Sequence, residues 1–543
     1  VKRLAWLPAA LVLAATLLTG CGGGSSSQGT SASAASPGSG AGATLVVARV
    51  KDAIGLDPSH QTDGLSLNIS SEVFENLVKF KPGTFAVIPD VASGWKTAPD
   101  GKTWTFTLRP GLKFSDGTPL DAAAVKFNFD RWRLTGDPYR GNYPYGYYAS
   151  MFGGFPGAIV DVQAPSATSV VMKLKTPFGP FLRNLAMPSF ALGSPDAIKK
   201  DVAGFELAPV ASGPYTVGEW VKDDHITLRA NPNWDGRKPL AYQTVIVRDI
   251  PDQSTSVLEM KKGDVDILTD PRPDDANDLA KQSGVKLYTQ PSNNIAYVAM
   301  NVEKPPFGNL LVRRAVEYAI DKAAIAKGFY ALGAVVADNW TPPNMAGGDP
   351  ALKAYPHDVA EAKALLAQAG LAHGFATQLY YPTSPRPYMP EPQRIAEAIQ
   401  ADLKAAGIEV TLEPYEFSVF LTKVRNGEHP MCLIGWTGDN GDPDNFMYPL
   451  LDQDSAVKGQ AQNYSFWRDP NFHKLMLAGQ QTVDDAKRAA IYRQANDLIH
   501  AQAPAVALVH SVVSFAAKST IDGIIPRPDS VLNFEFMKPA GGP

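Results

Sequence analysis

Beyond position 43 this 543-residue chain holds a single cysteine, Cys432, out of two in the whole sequence. No disulfide can staple the long stretch that follows, so its fold must be held by burial of apolar surface. That stretch is about 500 residues of ordinary globular composition, too many for one hydrophobic core, and it predicts two or more subdomains. Cys432 lies in the apolar run Met431 to Ile434, where a buried and unreactive thiol is expected.

The head of the chain reads differently. Lys2 and Arg3 precede an apolar run from Leu4 to Leu18, and small residues lead up to Cys21, the pattern of a signal peptide over residues 1–20. Pro8 interrupts the run, which is also shorter than the roughly 20 residues a membrane-spanning helix needs. The junction Leu18-Thr19-Gly20-Cys21 resembles the bacterial lipobox, which implies lipidation of Cys21; the alternative is an ordinary signal peptide with an incidental cysteine. Residues 21–43, nearly all Gly, Ser, Ala, Thr, Gln and Pro after Cys21, are too polar and small to form a core and predict a flexible linker. Such a linker has a mean reach of about 25 Å. The net charge of −4 carries no basic excess, so nucleic acid is not an expected partner.

Strand, turn and helix signals alternate along the rest. Thr44 to Val50 reads as a buried first strand, and Trp104, Phe106 and Leu108 alternate with threonines in a half-buried one. Asp121 is placed to cap a helix whose Val125, Phe129 and Trp132 share a face, and Val312, Ala315, Val316, Ala319 and Ile320 form a second stripe. Asp358 with Glu361 forms a capping box before a helix ending at Gly370. A helix over about 393–406 should stop at Gly407 and give way to a strand carrying Ile408, Val410 and Leu412. Strands near Gln378–Tyr381 and Met431–Trp436 each run into a loop, Pro382 to Pro392 and a Gly/Asp-rich segment. In open α/β sheets ligands bind beyond such strand ends.

The residues exclude several chemistries. Gly101-Lys102-Thr103 lacks the earlier glycine, Lys96 standing there, and the following helix of a phosphate loop. The eight histidines are scattered without a zinc or haem spacing, no GxSxG occurs, and Cys432 sits where a thiolate is disfavoured. The run Asp439-Asn440-Gly441-Asp442-Pro443-Asp444-Asn445 crowds oxygen ligands, yet Asp444 stands at the glycine position of a calcium hand and Leu450 at its closing glutamate. There remain two unlike charges in the two loops, Asp439 and Arg386. A carboxylate can take an ammonium group while a guanidinium fork matches a carboxylate, so the pair suits a zwitterion. The residues alone leave open that each is an ordinary surface charge.

At Gly101–Gly117 (GKTWTFTLRPGLKFSDG) and Gly435–Phe446 (GWTGDNGDPDNF) the sequence resembles the family-5 solute-binding proteins of ABC importers, and the second motif favours their dipeptide branch over the oligopeptide and nickel branches. The resemblance runs from Thr44 to the C-terminus. It implies an α/β, two-lobed periplasmic-binding-protein fold of the class II, cluster C type, with mixed sheets, a hinge and an extra subdomain. The first lobe would take 44–292 plus 510–543, with the insertion at about 90–195, and the second lobe 293–509.

The resemblance further implies that Asp439 holds a peptide α-ammonium and Arg386 its α-carboxylate. Trp436, Thr437, Gly438, Pro387 and Tyr388 would form walls, with Thr62 contributing from the other lobe. The relatives carry paired cysteines that this chain lacks, and Tyr381-Pro382-Thr383-Ser384-Pro385 departs from their pattern before the arginine. The expected protein is an exported, lipid-anchored, monomeric binding protein on the periplasmic or extracytoplasmic side, without cofactor or metal. It would capture short peptides, dipeptides first, for a membrane permease and its ATPase subunits. The alternatives are a binding protein for longer oligopeptides, haem or a nickel chelate, and a peptide-processing enzyme.

Overall fold

A computed structural model describes residues 43–541 apart from positions 237, 238, 332 and 344. The expected signal peptide, Cys21 and all but the last residue of the expected linker lie outside the described residues. No helix among the described residues is long and apolar enough to cross a membrane.

Two large sheets organise the chain, both mixed, as the expected α/β class requires. The first has seven strands in the order Val285–Pro291, Val512–Lys518, Ile267–Thr269, Ala43–Arg49, Tyr242–Asp249, His225–Ala230, Tyr215–Val221. Ala43–Arg49 runs parallel to both neighbours at its centre, and the outer pairs are antiparallel. Leu45, Val47 and Ala48 are buried there, which explains the continuous apolar character of the segment.

The second sheet takes Val335–Val336, Ala505–His510, Asn294–Met300, Met431–Thr437, Phe375–Pro382 and Ile408–Tyr415 in that order. Asn294–Met300 is buried along its whole length and antiparallel to both neighbours. Phe375–Pro382 is parallel to Ile408–Tyr415, and the helix Pro392–Ala405 crosses between them, burying Ile395, Ala396, Ile399 and Leu403. Gly407, at a φ of +94°, makes the left-handed turn from helix to strand that the sequence predicts. A four-stranded antiparallel sheet, Ala92–Thr97, Thr103–Leu108, Ser169–Leu174 and Ile159–Ser166, stands apart with its own core. Trp104, Phe106, Phe129 and Trp132 pack in that core. Asp121 caps the helix Ala122–Arg133 by accepting from the Ala123 and Ala124 amides.

Two features of this topology position the loops of interest. Phe375–Pro382 is also parallel to Met431–Thr437, so the segments that follow both strands leave the same edge of the sheet. The loops then touch through Tyr388, whose ring lies where a side chain on Gly435 would project, 2.3 Å from an added Cβ. The chain passes between the two large sheets at residues 292–293 and returns at Ser511.

Candidate functional site

A cavity of about 740 Å³ opens between the second sheet's loop 438–445 and residues 146–184 of the part carrying the small sheet. Trp436, Asp439 and Asn445 line one side and Thr62, Tyr147 and Met151 the other. Asp439 is fixed from several directions. Its backbone amide donates to Asn445 Oδ1 (3.0 Å), Asn445 Nδ2 donates to its Oδ2 (3.2 Å), and the Tyr147 hydroxyl donates to its Oδ1 (2.7 Å). Trp436 Nε1 donates to the same Asn445 oxygen at 3.1 Å, so one asparagine orients both the indole and the carboxylate. Burial raises the Asp439 pKa above its ordinary value, against the hydrogen bonds from Tyr147 and Asn445. Tyr147 is driven well up, first by burial and then by the Asp439 charge, so its hydroxyl remains a donor.

The other acids of this loop serve different ends. Asp442 is buried and held bidentately by Arg488, at 2.7 and 2.8 Å. Burial opposes its charge, but the Arg488 guanidinium outweighs that and holds the pKa below the ordinary value. Asp444 accepts from Gln480 and from the Tyr492 hydroxyl, and burial, reinforced by the Asp442 charge, pushes it up to about 7. Crowded oxygens in the sequence thus separate into two carboxyls that line the cavity, Asp439 and Asp444, and a buried ion pair at Asp442.

Arg386 sits on the neighbouring loop. Its amide donates to the Met389 carbonyl at 2.9 Å and its carbonyl accepts from the Met389 amide at 2.8 Å, closing a tight turn over Pro387 and Tyr388. Its guanidinium lies 3.5 Å over the Phe417 ring, and its Nε is buried without a hydrogen-bond partner among the described residues. Tyr388 is buried and its carbonyl accepts from the Tyr330 hydroxyl. Thr437 and Pro387 are exposed and Gly438 is buried. Of the residues singled out in the sequence, Thr62, Trp436 and Asp439 therefore meet at the cavity, whereas Arg386, Pro387, Tyr388, Thr437 and Gly438 are not among its lining residues. Tyr147 and Asn445 were not expected. Tyr147 stands 292 positions from Asp439, and only the aromatic density of Tyr143 to Tyr148 hints at it.

Two side-chain groups come close enough to share a metal ion among the described residues. In Asp57, His60 and Glu206 the Arg131 guanidinium already occupies Asp57, at 2.7 Å, and approaches His60, at 3.1 Å. In Asp452, Asp454 and His473, the His473 Nδ1 faces both Asp452 oxygens and Asp452 accepts from the Asp454 amide.

The Arg488 pair generates a stability prediction. Arg488→Met strands a buried carboxylate and should lower unfolding free energy by about 3 kcal/mol or more in denaturant titration at neutral pH. Adding Asp442→Asn should restore part of that loss; no recovery in the double variant would contradict the pairing.

Comparison with known proteins supplies the family. The model of the bacterial extracellular solute-binding proteins, family 5 middle region, matches residues 86–457. The dipeptide-binding protein of Escherichia coli is 35% identical over 508 residues, covering 91% of this chain and 94% of that protein. Heme-binding protein A of Haemophilus influenzae is 32% identical over 542 residues, 96% of this chain and 97% of that protein. Among solved structures, the ABC transporter-associated periplasmic binding protein DppA of Helicobacter pylori, in complex with peptide STSA, superposes with a TM-score of 0.75 at 30% identity, over 92% of this chain and 98% of that one. The two-sheet fold, a cavity walled from both sides and these matches agree: the chain belongs to the family-5 bacterial extracellular solute-binding proteins, and it is a binding protein rather than an enzyme.

Proposed function

We propose that this protein captures short peptides, dipeptides first, in the cleft between two lobes and hands them to an ABC permease. The observation that carries the reading is Asp439, a fixed carboxylate in the wall of a cavity large enough for a small ligand, with Arg386 on the adjacent loop. Asp439 would take the peptide ammonium in place of the Tyr147 hydroxyl, and Arg386 the carboxylate, swinging off Phe417 or being met as the lobes close. The names of the E. coli and H. pylori relatives support a peptide as ligand. The lobes follow the expected bounds, about 44–292 with 510–543 and about 293–509, with residues 292–293 as one hinge segment and the other at Ser511, since His510 still pairs in the second sheet. Ligand contacts made only in the closed form would shift the population toward it. Lipidation of Cys21 would keep a monomeric receptor near its permease, where confinement raises effective concentration.

Calorimetry with a dipeptide tests the assignment. Asp439→Asn and Arg386→Ala should each weaken binding about tenfold to a hundredfold, the loss of a charge-assisted hydrogen bond. Wild-type affinity in either variant would remove that residue from the site. The same titration should depend on pH in a set direction. In the empty cleft burial holds the Asp439 pKa above 3.8, and an ammonium binds only the ionised form. Affinity is then full above the raised pKa and lost as pH falls through it, beginning at higher pH than an ordinary aspartate would allow. In Asp439→Asn this dependence should flatten; an unchanged profile would place the titrating group elsewhere.

A further inference from the structure

We infer that Asn293 and Ser511, the residues at which the chain crosses between the two large sheets, are positioning residues that set the separation of the two ligand-binding loops. The inference rests on the terminus-recognition reading above and deepens it, by naming what fixes ligand length. At the outgoing crossing, Asn293 grips Gly438 twice. Its carbonyl accepts from the Gly438 amide at 2.7 Å and its Nδ2 donates to the Gly438 carbonyl at 2.8 Å. Gly438 immediately precedes Asp439. A Cβ at Gly438 would come within 2.8 Å of that Asn293 nitrogen and 2.2 Å of the Phe446 ring, so the grip requires glycine.

At the return crossing, Ser511 Oγ donates to the Pro387 carbonyl at 3.0 Å, one residue past Arg386. The crossings are themselves tied by Asn294. Its Nδ2 donates to Ser292 Oγ at 2.9 Å and to Ser511 Oγ at 2.7 Å, and its Oδ1 accepts from the Ser511 amide at 3.0 Å. The Ser292 amide donates to the Ser511 carbonyl at 2.9 Å. Ser292, Asn293, Asn294 and Ser511 are all buried. Buried polar side chains are costly unless bonded, and here the bonds run to each other, to the two loops and, from Ser292 Oγ, to the Pro528 carbonyl.

The consequence is geometric. Each loop is referenced to a crossing and the crossings to one another, so the distance from Asp439 to Arg386 is set at the same place as the angle between lobes. One extra residue lengthens an extended peptide by about 3.3 to 3.6 Å. A frame held by hydrogen bonds of fixed length can discriminate on that scale, and a loosened frame discriminates less.

Calorimetry with dialanine and trialanine on Asn293→Ala, Ser511→Ala and Ser511→Thr, alongside thermal melts, tests this. Asn293→Ala and Ser511→Ala should lose about tenfold in affinity for the preferred length, with a smaller loss for the other, so that the preference narrows. Ser511→Thr keeps the hydroxyl and should keep the preference. Equal losses for both peptides, or lowered melting with unchanged affinities, would make these residues merely structural and overturn the inference. If wild type binds neither peptide, the peptide reading fails, and hydrogen exchange still decides the coupling. Asn293→Ala should speed exchange over 438–445 and Ser511→Ala over 386–389, and unchanged rates there would overturn it.

Discussion

The parallel pairing of Phe375–Pro382 with Met431–Thr437 is the constraint on which the site depends. Parallel neighbours release their following loops from one sheet edge, so the loops that carry Asp439 and Arg386, from segments some fifty residues apart, start side by side. An antiparallel arrangement would have sent them to opposite ends. The pairing is held from within: Asn294–Met300 flanks Met431–Thr437 and is buried throughout, and Gly435 leaves room for Tyr388 to lock one loop against the other strand.

Electrostatics then differentiates the acids that this edge gathers. Asp439, Asp442 and Asp444 stand close in sequence, yet Asp439 lines the cavity under a tyrosine hydroxyl, Asp442 is paired with Arg488, and Asp444, also at the cavity, has its pKa pushed up to about 7 by burial beside Asp442. The ion pair fixes the loop backbone without claiming the charge that a ligand would need. A buried pair of this kind contributes definition of geometry more than net stability, because desolvation offsets much of its attraction.

Local signals in the sequence predict local structure well. Asp121 caps its helix, Gly407 turns a helix into a strand, and Trp104, Phe106 and Leu108 alternate inward, because each rule acts over a few residues. Asp439 and Trp436 stand in the motif that carries the family resemblance, and both line the cavity with Thr62. Contacts between distant segments carry no such signal. Tyr147 reaches Asp439 across 292 positions, and Arg488 finds Asp442 across 46. The role of Asn293 was hidden for the same reason, since an asparagine between two strands reads as a turn until its partner is seen.

The central claim is that unlike charges recognise the two ends of a zwitterion. Calorimetry comparing dialanine with its N-acetylated and its C-amidated forms tests it most directly. Removing either terminal charge should weaken binding by tenfold or more, since each end forfeits a charge-assisted hydrogen bond of about 1.5 to 3 kcal/mol. Blocked dialanine binding as tightly as the free dipeptide would contradict the account.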